Sequence, residues 1–314
     1  MPDRIYFILS AVLITLISLM VADLHADHIC GDTNSDSALN ISDAVWVMNY
    51  VFTSGAPPDP TGVGDCNCDA ACNISDAIVI INYVFTDGYL PCDPDEDGSP
   101  DCDPDCPLIM DVDGNLYQTI LIGEQCWMAE NLKVTHYRNG DPLPNVTDAG
   151  AWNGLTSGAY CDYNNDDGQV EVYGRLYNWY ALIDSRNIAP EGWHLPTDAE
   201  WKQLEMFLGM SQADADATGW RGTDEGGKLK EAGMVHWNSP NTGATNESGF
   251  TALPGGYRVN TGAFLNMGTY AYLWSSTESG AYTVWGRLLS SGVATIYRYA
   301  DSKAAGFSVR CIRD

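Results

Sequence analysis

Two segments of the chain share one pattern of polar and apolar positions. In each, oxygen-bearing side chains recur through a loop of twelve residues, and an almost wholly apolar stretch follows, from Asp43 to Phe52 and from Asp76 to Phe85. The segments are offset by 33 residues, and the strings Asn-Ile-Ser-Asp-Ala and Asn-Tyr-Val-Phe-Thr occur in both. The pattern predicts a duplicated loop–helix unit whose two helices bury their apolar faces against each other. The side chains expected to pack there are Val47, Met48, Val51, Phe52, Ile80, Ile81, Val84 and Phe85.

The polar residues of the two loops have the spacing of calcium ligands. They occupy loop positions 1, 3, 5, 9 and 12, and a backbone carbonyl at position 7 would add another oxygen. Calcium takes six to eight oxygens at about 2.3–2.6 Å. Asp and Asn also suit a solvated turn that caps a helix, but the duplication favours calcium. The predicted ligands are Asp32, Asn34, Asp36, Asn40 and Asp43 in the first loop and Asp65, Asn67, Asp69, Asn73 and Asp76 in the second.

These residues resemble the dockerin-like duplicated calcium loops of secreted bacterial proteins, from Cys30 to about Pro91. The resemblance implies an EF-hand-like α-helical calcium module at residues 27–91 and a cohesin-like or other surface protein as its partner. The sequence departs from the pattern at loop position 6, where Ser37 and Ala70 replace the usual Gly. This departure bears on the affinity for calcium.

Composition points to export from the cell. Residues 1–26 have the order of a secretory signal peptide, with an uncleaved N-terminal anchor as the alternative, and no second apolar span follows. All ten cysteines come after this segment, which fits an oxidising compartment and disulfide bonds. The formal net charge is −27, and no Lys or Arg lies between Asp23 and Pro107. This charge argues against nucleic-acid binding and favours bound cations. We therefore expect a secreted, extracellular or cell-surface protein without a membrane span once the signal is removed.

Residues 92–110 form an acidic connector rich in Cys, Pro and Asp. Four of its carboxylates follow a spacing similar to that of thrombospondin type 3 calcium repeats, and an acidic spacer broken by prolines is the alternative. The candidate ligands are Asp93, Asp95, Asp97 and Asp101.

From residue 111 to the end, the pattern changes to short aromatic-rich strands separated by Gly, Asn and Ser turns. One helix is predicted after Thr197, which forms a capping box with Glu200, and it ends at Gly209. A shorter helix is expected from Gly174 to Ile183. The pattern predicts an α+β fold with a small twisted antiparallel sheet and two helices.

This region contains six distinctive blocks in order, CWMAENL, YGRLYNWYAL, GWHLPTDAEWKQL, GATNESGFTALPGGYR, LWSSTES and GFSVRCIRD. Together they resemble the Fibrobacter succinogenes major paralogous domain. The resemblance implies the C-type-lectin-like fold shared by sulfatase-modifying factors, in which the first and last strands pair. That topology makes Cys126 the expected disulfide partner of Cys311, with Cys161 as the competitor.

The sequence favours a binding function over catalysis. The domain lacks the close cysteine pair of formylglycine-generating enzymes, and it lacks the calcium-dependent sugar motifs of true C-type lectins. His136, His194 and His236 are isolated from one another. The expected function is a non-catalytic binding or adhesion protein with a glycan or protein ligand. The alternative is an enzyme or accessory protein of extracellular polysaccharide degradation, tethered through its dockerin-like module. The strand aromatics Tyr270, Tyr272, Tyr282, Trp285, Tyr297 and Tyr299 are candidates for a recognition face.

Overall fold

The computed structural model describes residues 29–58, 61–68, 71–86, 91–92 and 106–314. We call the described part up to residue 92 the N-terminal module and residues 106–314 the C-terminal region. The predicted signal peptide and the connector carboxylates Asp93, Asp95, Asp97 and Asp101 lie outside the described residues, as does the loop ligand Asp69.

The N-terminal module contains the two helices that the repeat predicts, α1 (Ile41–Thr53) and α2 (Ile74–Thr86). A short 3₁₀ helix at Thr61–Gly64 lies between them. Asn40 caps α1, because its side chain accepts the N–H of Ser42 while the Asp43 carboxylate accepts the N–H of Asn40, at 2.9 and 2.8 Å. Asn40 and Asp43 therefore belong both to the end of the first loop and to the start of the helix.

The two helices pack through one facing stripe. Its fully buried members are Ala44, Val47, Ala77 and Ile80, and Met48, Ile81 and Val84 pack around them. The expectation that Val51, Phe52 and Phe85 also pack there is wrong, because their exposed fractions are 37%, 68% and 65%. A pair of helices covers only the face that each turns to the other. Val79 is also buried, at 7% exposure, but most of the other apolar side chains of these helices are left at the surface.

The ends of the N-terminal module are joined covalently. Cys30 and Cys92 form a disulfide bond with their Cα atoms 6.2 Å apart. Beside it, the N–H of Gly31 donates to the carbonyl of Val63 and the N–H of Cys92 donates to the carbonyl of Cys66, both at 2.9 Å. These bonds close the segment that holds both loops.

The C-terminal region is a mixed α and β structure with several antiparallel sheets and few helices. Its helices are α3 (Ala149–Trp152), α4 (Val170–Tyr173), α5 (Trp179–Leu182), α6 (Asp198–Phe207), α7 (Gln212–Asp216) and α8 (Glu225–Leu229). Its strands are β1 (Ile109–Met110), β2 (Leu116–Tyr117), β3 (Thr119–Ile122), β4 (Gln125–Met128), β5 (Tyr160–Cys161), β6 (Leu176–Asn178), β7 (Trp193–His194), β8 (Gly219–Arg221), β9 (Tyr257–Arg258), β10 (Phe264–Leu265), β11 (Tyr270–Glu278), β12 (Thr283–Ser290), β13 (Ile296–Ser302), β14 (Gly306–Phe307) and β15 (Ile312–Arg313). Across the described residues, no helix has the length and apolar character that a membrane span requires.

The strands of the C-terminal region form four small sheets. Their orders are β1-β2, β10-β9-β14-β6-β5, β11-β12-β13-β8 and β3-β4-β15-β7. The second and third sheets contain β14 and β13, which lie near the end of the chain. In the last sheet, β15 pairs with β4, so that Ile312 lies opposite Trp127. The expected pairing of the first and last blocks is therefore confirmed.

The two helix predictions for this region have different outcomes. Helix α6 begins after Thr197, with both hydrogen bonds of the capping box to Glu200 formed, as predicted. The expected helix from Gly174 to Ile183 is wrong in its first half. Residues 176–178 form strand β6, and only α5 is helical, because the Asn178 side chain accepts the N–H of Ala181 and starts the helix there.

The disulfide expectation for this region is also corrected. Cys126 bonds to Cys106, with Cα atoms 5.3 Å apart, while Cys161 and Cys311 are free and fully buried. The register explains why. The N–H of Met128 donates to the carbonyl of Cys311, so Cys311 lies opposite Met128, two residues along β4 from Cys126. The strands pair as expected, but the two sulfurs are not placed opposite each other.

Candidate metal centre and ligand-binding surface

The first loop turns its carboxylates toward its own backbone. Asp32 accepts the N–H groups of Asp36 and Ser37 at 3.1 and 2.8 Å. Ser37 has a φ of +65°, a conformation that favours Gly, which accounts for the Gly usually found at this loop position. The Asp43 carboxylate closes the loop by accepting the N–H of Asn34 at 3.4 Å, in addition to that of Asn40. The loop is thus wrapped around its acidic side chains.

The second loop repeats this arrangement in its described part. The Asp76 carboxylate accepts the N–H groups of Cys66, Asn67 and Asn73 at 2.8, 3.2 and 2.7 Å. The amide of Asn67 donates to Ser75 Oγ at 2.9 Å, just as Asn34 donates to Ser42 Oγ at 2.7 Å in the first loop. The two copies therefore agree in contacts as well as in sequence.

Both loop-closing carboxylates are buried beside other acids. Asp43 and Asp76 are fully buried. Burial raises the pKa of Asp43, and the charges of Asp32 and Asp36 add to the shift. Burial, with a smaller contribution from Asp65, raises the pKa of Asp76 to about 6. No Lys or Arg lies in this stretch of the sequence to balance these charges.

The donor set fits a hard cation. Carboxylate and amide oxygens at the predicted positions are the ligands that calcium prefers, and a cation would neutralise the buried acids. Within the described residues, no group of three or more His, Cys, Asp or Glu side chains is gathered closely enough to hold a metal ion. A calcium site here would therefore combine carboxylate oxygens with the Asn and backbone oxygens of the same loop.

In the C-terminal region, one face of the sheet β11-β12-β13-β8 is covered by α6. A buried ion-pair network joins them. The Asp198 carboxylate accepts from Arg287 at 2.8 Å and from Arg298 at 2.7 Å, and the Glu205 carboxylate accepts from Arg287 at 2.6 Å and pairs with Arg221 at 2.9 Å. The network was missed from the sequence, although single arginines inside otherwise apolar strands are a usable signal. All its charges are engaged with one another, which is the arrangement of a structural network.

The other face of this sheet is aromatic. Tyr272 stacks on Tyr257 with ring centroids 4.2 Å apart, and Trp274 stacks on Phe307 at 4.0 Å. At the open end, Trp220 packs against Tyr297 at 5.0 Å and is 46% exposed. Side chains alternate between the two faces of a strand.

The six aromatic candidates from the sequence do not form one surface. Tyr270, Tyr272, Tyr297 and Tyr299 share the aromatic face, but Tyr272 is only 7% exposed. Trp285 points to the opposite face, where the Arg298 guanidinium lies 3.7 Å from its ring centroid. Tyr282 is 83% exposed in the turn before β12.

Each histidine of the C-terminal region that the sequence singled out is hydrogen-bonded to a carboxylate. His136 bonds Asp113 at 2.6 Å and His236 bonds Glu231 at 2.7 Å. His194 bonds both Asp314 and Glu200, at 2.7 and 2.8 Å, and these two acids raise its pKa against the opposing effect of burial. The histidines therefore lie in three separate pairs or triads and do not converge.

The free thiols Cys161 and Cys311 are poorly suited to nucleophilic chemistry. Both are fully buried, and burial raises the pKa of each thiol. A reactive cysteine needs access and a lowered pKa. Their environment is that of core residues.

A family assignment agrees with this architecture. Residues 120–313 match the model of the Fibrobacter succinogenes major domain, and the chain belongs to this family. No curated protein and no solved structure matches the chain.

Proposed function

We propose that this protein is a secreted or cell-surface, non-catalytic binding or adhesion protein. Its N-terminal module is a dockerin-like, calcium-binding unit for assembly, and its C-terminal region is a lectin-like domain that binds a glycan or a protein. The observation that carries the proposal is the burial of Asp43 and Asp76 in duplicated loops whose own stretch of sequence contains no Lys or Arg.

Calcium would be held by the side chains at the predicted loop positions, including Asp69 in the second loop. It would supply positive charge at the point where each loop meets its helix. Because the Asp43 carboxylate also completes the capping box with Asn40, a cation that neutralises it would stabilise the loop and the start of α1 together. We therefore expect calcium to increase the stability of the N-terminal module.

The surface of the same module supports an assembly role. Phe52 and Phe85 occupy equivalent positions in the two repeats and are both mostly exposed. Exposed apolar side chains on adjacent helices are suited to contact with another protein. A cohesin-like or other surface protein is the partner that the dockerin resemblance indicates.

The proposal of a non-catalytic C-terminal domain is supported by the pairing of its charged groups. The buried acids Asp198 and Glu205 are bonded to arginines, and the histidines are bonded to carboxylates at separate places. A catalytic site needs an acid, base or nucleophile placed with a partner near an accessible substrate. Tyrosine and tryptophan rings at partly exposed positions suit recognition instead.

The test compares thermal unfolding of the full chain in calcium and in chelator. Wild type should be more stable in calcium, and Asp43→Ala and Asp76→Ala should each reduce the calcium-dependent gain. Asp148→Ala is a matched control, because it removes an exposed helix-capping carboxylate outside the loops. An equal response of all four proteins, or turnover of a polysaccharide by wild type, would contradict the proposal.

A further inference from the structure

One carboxylate lies on the aromatic face of the sheet β11-β12-β13-β8. Along β13, Tyr297, Tyr299 and Asp301 point to the same side, because side chains alternate along a strand. The pairing of β13 with β12 is regular from Thr283 to Leu288, so no bulge interrupts this alternation. Asp301 is half-buried, and Tyr299 beside it is partly exposed. The aromatic face therefore carries an acid at the end of β13.

No positive charge of the described residues balances this acid. The Asp301 carboxylate accepts one backbone hydrogen bond, from the N–H of Ser302 at 2.6 Å. The nearest lysine along the chain, Lys303, pairs instead with Glu278 at 2.7 Å and lies over the Trp179 ring. Burial raises the pKa of Asp301, and the hydrogen bond from Ser302 only partly opposes this effect. Asp301 is thus a partly desolvated charge without a counterion among the described residues.

Tyrosine rings border this carboxylate. Burial raises the pKa of Tyr257 and of Tyr299, and the charge of Asp301 adds to both shifts, so both hydroxyl groups lie near it. Tyr257 stacks on Tyr272 with ring centroids 4.2 Å apart, and Tyr299 lies 5.5 Å from Tyr297 along β13. Tyr257 and Tyr297 are both partly exposed. The acid therefore adjoins an aromatic surface that a partner can reach.

An acid without a counterion beside tyrosine rings is suited to a cationic side chain. The ammonium or guanidinium group would neutralise Asp301, and its carbon stem or planar group would lie on the rings, whose faces attract cations. A neutral ligand would leave the charge of the acid unbalanced, and an anion would be repelled by it. A calcium ion would need several oxygen ligands, whereas the neighbours of Asp301 on this face present aromatic rings.

The length of the aromatic surface favours a partner protein over a small cation. From Asp301 to Tyr297 the strand advances by about 13 Å, and Tyr297 lies opposite the exposed Trp220 of β8. A single basic side chain covers only part of this surface, so the backbone that carries it would lie over the remaining rings. The formal net charge of −27 also attracts a basic partner.

We propose that the aromatic face binds a partner protein through one of its lysine or arginine side chains. The charge of that side chain lies on Asp301, and the neighbouring backbone of the partner lies over Tyr297 and Trp220. This inference rests on the proposed binding function and assigns it a surface and a partner chemistry.

The experiment measures binding of end-blocked Gly-Gly-X-Gly-Gly peptides to the full chain by calorimetry and saturation-transfer NMR. X is lysine or arginine, and norleucine and citrulline are the uncharged counterparts of similar shape. At least one charged peptide should bind about fivefold more tightly than its uncharged counterpart. Choline and cellohexaose represent a small quaternary ammonium ligand and a neutral saccharide. Tighter binding of either than of the charged peptides would overturn the assignment.

Charge variants locate the cation. Asp301→Asn keeps the shape of the side chain and removes its charge, so it should reduce the affinity of the charged peptide to that of the uncharged one. Glu278→Gln is the matched control, because Glu278 and Asp301 flank Val284 from opposite strands but Glu278 already pairs with Lys303. This control should bind as wild type does. Equal binding by wild type and Asp301→Asn, or an equal loss in both variants, would contradict the proposal.

A ring variant locates the backbone of the partner. Trp220→Ala should weaken the charged and uncharged peptides alike, by about threefold, because it removes a ring on which the backbone lies. Phe207→Ala is its control, since that ring is 64% exposed but belongs to α6, on the opposite side of the sheet. Equal affinities for Trp220→Ala and Phe207→Ala would contradict this placement.

Thermal unfolding separates a binding role of Asp301 from a structural one. Burial raises its pKa, so its charged form costs stability at neutral pH. Asp301→Asn should therefore melt at or above the wild-type temperature, and a melting temperature several degrees lower would assign the carboxylate a structural partner and overturn the proposal. If no charged peptide binds at millimolar concentration, the assignment is wrong as well. Binding of another protein or glycan from an array would then leave the proposed binding function standing.

Discussion

Replacing Asp198 by Asn should strongly destabilise the C-terminal region. Asp198 is the first residue of α6, and its carboxylate accepts hydrogen bonds from Arg287 and Arg298. The substitution keeps the shape of the side chain but removes its charge. Both guanidinium groups are almost fully buried, with side-chain exposures of 1% and 6%, so neither can replace the lost partner with solvent.

The structure gives the magnitude of this destabilisation. Burial alone would raise the pKa of Asp198, but hydrogen bonds and charges from Arg298 and Arg287 lower it to about 2. Compared with an ordinary value of 3.8, this pKa corresponds to roughly 2 kcal/mol of stability at neutral pH. Leaving the buried Arg298 without its carboxylate, and Arg287 with Glu205 alone, raises the cost of the substitution to about 3–5 kcal/mol. For a region of this size, the melting temperature should fall by about 10 °C.

The pH dependence follows from the same pKa. Because the folded-state pKa lies below the unfolded one, the contribution of Asp198 is complete above about pH 4 and is lost as the pH falls through about 2. The stability difference between wild type and Asp198→Asn should therefore shrink between pH 5 and pH 2. Calorimetric unfolding of both proteins across this pH range measures the difference.

Asp216→Asn is the matched control. This carboxylate also pairs with a cation, Lys202 at 2.8 Å, but it is 55% exposed. An exposed pair of this kind contributes little to stability, because solvent screens it. Equal losses in Asp216→Asn and Asp198→Asn, or a loss in Asp198→Asn that is independent of pH, would refute the reasoning.

Three further predictions concern other parts of the chain. Cys30→Ser opens a disulfide that spans 62 residues and should destabilise the N-terminal module by about 4 kcal/mol. If calorimetry finds no loss of unfolding free energy, the Cys30–Cys92 bond does not stabilise the module by closing it. Cys161 and Cys311 should be labelled by iodoacetamide only after unfolding, because both are fully buried, so peptide mapping that finds them labelled in the native protein would be evidence against this core. Lys230→Met should lower the free energy of unfolding by about 3 kcal/mol, because the lysine donates hydrogen bonds to three backbone carbonyls. If chemical unfolding shows a loss below about 1 kcal/mol, the three carbonyls have found other donors.

The features that could be predicted from the sequence are those set by nearby residues. Helix α6 was predicted because its cap, its capping-box Glu200 and its apolar spacing lie within a few residues of Thr197. The loop–helix repeat was predicted for the same reason. The helix expected at Gly174–Ile183 was half wrong, because the pairing of Tyr177 with Tyr160 and Phe307 in neighbouring strands overrides the local pattern.

The features that were missed depend on contacts between distant segments. The Cys126–Cys311 expectation used the right strand pairing, but a disulfide also depends on register, and the register places Met128 opposite Cys311. The buried ion pairs of Asp198 join it to Arg287 and Arg298, which lie 89 and 100 residues further along the chain. Such contacts need the fold before they can be recognised.

A calcium titration of the full chain tests the central claim most directly. We expect wild type to bind two ions through its duplicated loops, and Asp76→Ala to retain only the site of the first loop, with a gain in helical circular dichroism on calcium addition. Absence of binding heat in wild type, together with an unchanged spectrum after chelation, would contradict the account.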